Sequence, residues 1–198
     1  MSNSLSNRGL TASKSPLRVD FEAYFEAVKN LYHENENPNG TFPLNVAENK
    51  LTWPMLRTKM EELSDQPQIP DWVASYTNST GSPSFREVVA KFYSRFISKC
   101  DINPDHLGMS AGATSIIDLT SWILGEPGDV VVIPAPCYPV YKQDMQNKSG
   151  LERYDLVTHH EIEEIANGPL LTIGHLDKAL KDIESKEQRF RILVITTP

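Results

Sequence analysis

Little in this sequence supports disulfide, metal or membrane chemistry. Two residues are cysteines, Cys100 and Cys137, and they lack CxxC spacing. Neither a zinc ribbon nor a disulfide framework is implied, and a reduced, cytoplasmic chain accounts for them. The five histidines include one adjacent pair, His159 and His160, which does not have the spacing of a helical metal site. No metal ligand set is read. No apolar run approaches the roughly 20 residues a membrane helix needs. The opening MSNSLSNRGLTASKSP carries cations with no apolar segment behind them, so it does not read as a secretory signal. Basic residues are also in deficit: 19 Lys and Arg against 26 Asp and Glu give a formal charge of −7. Such a surface repels phosphate backbones, which argues against nucleic acid as a partner.

What is present is an ordinary globular composition, 39% hydrophobic and 23% charged over 198 residues, enough for a core without staples. Residues 1–17 are rich in Ser and Asn and read as a mobile arm. From Asp20, the 3.6-residue recurrence of Phe21, Tyr24, Phe25, Val28 and Leu31 predicts a helix that stops before Asn35, where NPNG supplies turn chemistry. Trp53-Pro54 suits the first turn of a second helix running to Leu63. Residues 18–64 read as a helical segment, expected to contribute to a smaller domain, with 65–198 expected to begin a larger one. Ser82 as cap and Pro83 at the first turn predict a helix with Phe85, Val88, Val89, Phe92 and Phe96 on one face.

Further on, Leu107–Ser110 is a strand candidate, and residues 114–124 a helix turning Ile116, Ile117, Thr120 and Ile123 inward. Val130–Ile133 is a continuous apolar run, as expected of a strand covered on both faces. A helix near 138–147, a strand over Leu151–Val157, a helix over Ile173–Ile183 capped by Thr172, and a strand over Arg191–Thr196 complete the pattern. Alternating strands and helices predict an α/β fold with a mainly parallel sheet and flanking helices. The last apolar run, RILVITTP, reaches residue 198 with no loop after it. In open α/β sheets ligands bind beyond the carboxyl ends of strands, so the sequence reads as incomplete at its carboxyl end.

Four segments could carry chemistry. Gly108-Met-Ser-Ala-Gly-Ala-Thr114 leads into a helix, and small residues before unpaired helix amides can cradle a phosphate. The same residues also suit a tight strand-to-helix turn made for packing alone, and neither the GxGxxG fingerprint nor a P-loop is matched. Pro134-Ala-Pro-Cys-Tyr138-Pro-Val-Tyr141 puts an aromatic ring between prolines after a buried strand. That ring could stack on a flat ligand or simply cover the sheet edge. Asn45-Val-Ala47-Glu48-Asn49-Lys50 could meet a polar substrate or be a solvated loop. Tyr76-Thr-Asn-Ser79-Thr-Gly81-Ser-Pro-Ser-Phe-Arg86 by itself is an ordinary start to a helix.

The order of these segments, NPNG…LNVAENKL, YTNSTGSPSFREVVAKF, MSAGATSIIDL, EPGDVVVIPAPCYPVY and RILVITTP, resembles pyridoxal-phosphate (PLP) enzymes of fold type I, the class I/II aminotransferase family. Within it, NPNG, AEN and the GAT turn are similar to the 1-aminocyclopropane-1-carboxylate (ACC) synthase-like branch. The resemblance covers nearly the whole chain after about residue 35, over the N-terminal half of the family pattern. It implies the PLP-dependent transferase (aspartate aminotransferase-like) fold, pyridoxal 5′-phosphate as cofactor, an α-amino acid as substrate, and a homodimer as the complete enzyme.

By the same resemblance, Ala113 and Thr114 match the turn that holds the cofactor phosphate. Tyr138 matches the aromatic that stacks on the pyridine ring, and Glu48, with Ala47 on the same loop, matches a residue beside the substrate. Ser79 stands where the family carries a tyrosine that reaches the neighbouring subunit's cofactor, and so short a stem cannot reach as far. The family's cofactor-linking lysine, the aspartate on the pyridine nitrogen and the anion-binding arginines all match positions after residue 198. Of the eleven lysines present, Lys14 follows Ser13 in the arm and the others read as surface residues. No catalytic residue is therefore placed within this sequence. The expectation is the first part of an aminotransferase or an ACC synthase-like enzyme. The alternatives are a C–S β-lyase on the same scaffold, or a short non-catalytic subunit that binds a full-length homologue.

Overall fold

The computed structural model describes residues 4–14, 19–64, 69–158 and 171–196. The His159–His160 pair, Pro67 and Pro198 lie outside the described residues. The chain divides into two compact units, Met1–Ser75 and Tyr76–Pro198.

The first unit is helical. Within the stretch read as an arm the structure places a helix, α1 (Asn7–Lys14). Ser6 Oγ accepts from the Gly9 amide, while Thr11 and Ser13 donate back to the carbonyls of Asn7 and Leu10. Helix α2 (Val19–Ala27) ends sooner than its apolar spacing predicts, passing through a 3₁₀ turn at Val28–Asn30. The NPNG turn explains the early stop. The Asn37 side-chain amide donates to Asn30 Oδ1 and to the Leu31 carbonyl, both at 2.8 Å. The Thr41 amide takes the Asn30 carbonyl at 2.7 Å, so carbonyls that would continue the helix are engaged elsewhere. Helix α3 (Trp53–Ser64) forms where Trp53-Pro54 predicts it.

The second unit holds the sheet. Helix α4 (Pro83–Phe92) continues into a π-helical turn at Tyr93–Ser98 that ends on Lys99 in the left-handed region. Ser82 sits at the cap position without bonding a helix amide. The apolar stripe assigned to α4 does not face a core here: Phe85, Val88, Phe92 and Phe96 are exposed, and Arg86 and Ala90 are buried instead. Leu107–Ser110 is not a strand. The Met109 amide bonds the Thr80 carbonyl, and among the described residues no neighbouring strand offers this segment a ladder.

Helix α5 (Ala113–Leu124) is followed by β1 (Val130–Ala135), α6 (Tyr141–Gln146), β2 (Glu152–Val157), α7 (Ile173–Ser185) and β3 (Phe190–Leu193). Thr172 and His175 close a reciprocal capping box at the start of α7, satisfying two otherwise orphaned donors. The sheet order is β2-β1-β3, and both pairs are parallel.

Strand β1 is central and buried on both faces, which is why its sequence is a continuous apolar run. Val130 and Val132 pack with Leu156 and with Ala179 and Ile183 of α7. Val131 and Ile133 face the other way, onto Met145 of α6, Leu151 and Ile117 of α5. Three layers result, with α7 on one side of the sheet and α5 and α6 on the other. Of the α5 residues expected to turn inward, only Ile117 does so; Ile116 and Ile123 are exposed and Ser121 is buried. No helix among the described residues is long and apolar enough to cross a membrane.

Candidate functional site

From β1 the chain crosses to β2 on one side, then returns to β3 on the other, so the strand order reverses about β1. The crevice beyond the carboxyl end of such a strand is where open α/β sheets take ligands. Two segments of the sequence analysis meet the solvent there.

The first is the turn into α5. Gly112 is its N-cap, with φ 85° and ψ 174°, a left-handed-side conformation that L side chains rarely adopt. An added Cβ would meet nothing within 4 Å, so the space above the turn is open. No side chain caps the helix: the Ser115 hydroxyl donates to the Gly112 carbonyl at 3.0 Å and bonds Ser110 Oγ at 2.8 Å. The first amides of α5, including those of Ala113 and Thr114, therefore carry the unpaired N–H groups and the positive dipole end that favour an anion. The Thr114 hydroxyl itself is directed elsewhere, onto Asp144 Oδ2 of α6 at 3.3 Å.

The second is the loop from β1 to α6. Tyr138 is about half exposed, at 52%, and its ring meets that of Tyr141 edge-on, with centroids 5.4 Å apart at 84°. Burial pushes the Tyr141 phenol up, and burial likewise raises the Cys137 thiol, so both are neutral near pH 7. Arg153, on β2, fastens this loop: its Nη1 donates to the Pro139 carbonyl at 3.2 Å while its Nε bonds Asp155 Oδ1 at 2.6 Å. The Ala135–Pro136 peptide is cis.

These residues fit a phosphorylated, flat, heteroaromatic group. The anion would lie on the amides of α5 and the ring against Tyr138. Local sequence pattern singles out neither Arg153 nor Asp144. Arg153 lies in a strand candidate and Asp144 in a helix, and only the fold brings them to the loop and the turn.

Ala47 and Glu48 belong to the other unit. There Glu48 Oε2 pairs with Lys50 Nζ at 3.0 Å, and the carboxylate holds the lysine's ammonium above its ordinary pKa. Glu48 and Lys50 line a cleft of about 370 Å³ with Tyr24, Leu31, Phe42 and Val46, while Ala47 is exposed outside that lining. A polar pair over an apolar, aromatic lining is the usual make-up of a small-ligand pocket. Ser79 is exposed in the loop before α4, beside Asn78, whose Oδ1 accepts from the Thr80 amide and hydroxyl at 2.9 and 2.7 Å.

The family model for aminotransferase class I and II matches residues 43–198. The chain belongs to that family. It is 31% identical to a 1-aminocyclopropane-1-carboxylate synthase of Glycine max over 93% of its own length and 38% of that protein's. It is 29% identical to 1-aminocyclopropane-1-carboxylate synthase 5 of Oryza sativa, over 93% of the chain and 35% of the relative. A probable inactive 1-aminocyclopropane-1-carboxylate synthase-like protein 2 of Mus musculus is 26% identical over 98% of the chain and 33% of its own length. The chain thus spans little more than a third of the curated relatives it matches. Among solved structures, an archaeal alanine:glyoxylate aminotransferase superposes with a TM-score of 0.61 at 18% identity, covering 96% of this chain and 42% of that one. A Pyrococcus horikoshii kynurenine aminotransferase gives 0.56 at 19%, over 96% and 41% respectively. The fold is that of the aminotransferases, and the parallel sheet with helices on both faces agrees with the expectation from sequence.

Proposed function

We propose that these residues are the cofactor-phosphate and ring-binding part of a pyridoxal 5′-phosphate-dependent enzyme acting on an α-amino acid, an aminotransferase or an ACC synthase-like enzyme. The observation that carries this reading is the pairing at the sheet's carboxyl edge: uncapped amides under Gly112 and an exposed Tyr138 ring after β1. Family membership and the plant synthase relatives support it.

In this reading the amides of Ala113 and Thr114 hold the phosphate, and Tyr138 covers one face of the ring and excludes water from it. Glu48 and Ala47 lie beside the substrate's polar groups. The cofactor, when bound, supplies the electron sink for carbanion chemistry at the substrate's α-carbon. A homodimer is the expected assembly, in which Ser79, on so short a stem, does not reach the neighbouring subunit's cofactor as a tyrosine would.

The test is a binding titration on the whole protein, followed by absorbance and by quenching of intrinsic fluorescence. Pyridoxal 5′-phosphate should bind well ahead of pyridoxal, and Tyr138→Ala should weaken it by about 10- to 100-fold, the scale of a lost stacked ring in a closed site. Equal affinity for the two ligands, or an unaltered Tyr138→Ala, would sink the proposal. A panel of α-amino acids, with 2-oxo acid, ACC and released thiol as readouts, then separates transamination from ring formation and from C–S β-elimination.

A further inference from the structure

Helices α5 and α6 are fastened to each other by two polar bonds one helical turn apart. Thr114 Oγ1 donates to Asp144 Oδ2 at 3.3 Å, and Lys148 Nζ pairs with Asp118 Oδ2 at 2.9 Å. The spacing is i,i+4 on both sides: Thr114 and Asp118 share a face of α5, and Asp144 and Lys148 share a face of α6 and the turn that ends it. Beneath them Met145 is almost fully buried, packed with Ile117 against Val131 and Ile133. The two helices therefore share an apolar base on the sheet and a polar clasp above it.

The clasp joins the two halves of the candidate site. Thr114 is the second residue of α5, inside the anion-binding turn. Tyr138 precedes α6 and meets that helix's first residue, Tyr141, edge-on. A shift of α6 along α5 would carry the Tyr138 ring towards or away from the Gly112 turn. The clasp sets that separation.

We propose that Asp144 is a positioning residue for the cofactor site. It takes the Thr114 hydroxyl and, with Lys148, fixes the distance between the anion turn and the aromatic ring. The inference rests on the function proposed above. Because the Thr114 hydroxyl is committed to Asp144, the anion is held by main-chain amides, and Asp144 acts through geometry without touching the ligand. A ligand that spans turn and ring needs the correct separation. A ligand that uses one of them does not.

The experiment compares three probes on the whole protein: pyridoxal 5′-phosphate, which spans both features, inorganic phosphate, which uses the turn, and pyridoxal, which uses the ring. Asp144→Ala should weaken pyridoxal 5′-phosphate about tenfold, the scale of one lost hydrogen bond, and leave the two half-ligands within about twofold. Asp144→Asn keeps an acceptor for Thr114 and should restore binding. Lys148→Ala, which leaves Thr114 and Asp144 untouched, should give the same selective pattern more weakly, and it serves where Asp144→Ala fails to fold. Equal losses for all three probes would overturn the proposal, as would no loss for any, or failure of Asp144→Asn to restore binding. If the wild-type protein binds pyridoxal 5′-phosphate no better than its halves, the proposed function fails first and this inference with it. Wild-type preference with an unselective Asp144→Ala overturns the inference alone.

Discussion

Asp129 and Arg189 form a two-pronged ion pair at the amino ends of β1 and β3, with Arg189 Nε 2.8 Å from Oδ1 and Nη2 2.5 Å from Oδ2. The Glu126 amide donates to the same Oδ2 at 2.9 Å, closing the Glu126-Pro127-Gly128-Asp129 turn. The Val130 amide bonds the Arg189 carbonyl at 2.8 Å, so the pair sits where the ladder between the two strands begins. It fixes which residues of β3 lie beside β1, and hence where the two strands' carboxyl ends emerge.

The arginine's hydrogen bonds hold the buried Asp129 carboxyl below its ordinary value, outweighing the opposing effect of burial. A carboxylate whose folded-state pKa is depressed adds stability above its unfolded value of about 4, and that stability is lost as pH falls through the folded value. Asp129→Asn should therefore destabilise the protein by about 1 kcal/mol at pH 7, since the aspartate is buried while its arginine partner is half exposed and can turn to water. The gap between wild type and variant should close progressively below about pH 4. Urea midpoints measured from pH 7 to pH 3 check both points, and a pH-independent gap would contradict the assignment.

Gly112→Ala isolates backbone conformation at the anion turn. With φ at 85° and no atom within 4 Å of the new methyl, the change adds no clash, only a conformation disfavoured by about 1–3 kcal/mol. The variant should relax its turn, losing affinity for pyridoxal 5′-phosphate with a modest fall in melting temperature. Gly81→Ala makes the useful contrast. Its φ is 107°, and its Cβ would stand 2.8 Å from both Cβ and Cγ of Met109. The Met109 amide is bonded to the Thr80 carbonyl, so neither segment can retreat freely. The melting temperature should fall further for Gly81→Ala than for Gly112→Ala, and the reverse order would show that contact there is relieved at little cost.

Elements whose cause is local were legible in the sequence. The Val130–Ile133 run reads as a doubly covered strand because burial on both faces leaves no room for polar alternation. Thr172 announces a helix because a hydroxyl is needed where amides are orphaned. The tight turn at Gly112 and the loop after β1 that carries Tyr138 are legible as local structure for the same reason, while what either of them holds is not written in the local pattern. What could not be read was set by partners far along the chain. The apolar stripe on α4 predicts an inward face, yet Arg86 occupies the buried side because the carbonyls of Gly81 and Pro104 converge there. Leu107–Ser110 has strand-like composition but, among the described residues, no strand to pair with. Asp144 and Arg153 reach the site only through a helix packing and a strand register that no local pattern encodes.

Large apolar side chains remain open to solvent: Leu44 and Leu51 are more than nine-tenths exposed, and Ile69, Ile123 and Ile173 more than two-thirds. Large apolar side chains left in water favour association, through the hydrophobic area that contact removes from solvent. The 198-residue chain produced by itself should bind a hydrophobic dye and self-associate as its concentration rises. Light scattering and dye fluorescence over a concentration series test this. A dye-silent monomer at all concentrations would mean that these side chains are covered in solution.

Arg86 supplies the last prediction. Its side chain is 7% exposed, with Nε donating to the Gly81 carbonyl at 3.3 Å and Nη1 to the Pro104 carbonyl at 2.9 Å. Asp105, itself largely exposed, approaches Nη1 at 3.5 Å and contributes little beyond orientation. One guanidinium thus fastens the loop carrying Ser79 to the 3₁₀ turn at Pro104–His106. Arg86→Leu keeps the apolar stem but removes the guanidinium from both carbonyls, leaving Pro104 O only its bond from the Leu107 amide, which should cost about 1–3 kcal/mol. Arg86→Lys should recover only part of this, because a single ammonium cannot reproduce two donors held in a fixed plane. Hydrogen exchange locates the effect: residues 78–82 and 104–106 should lose protection together in Arg86→Leu. Loss in one segment without the other would show that the arginine supports that segment alone, and that the loop before α4 is held in place by something else.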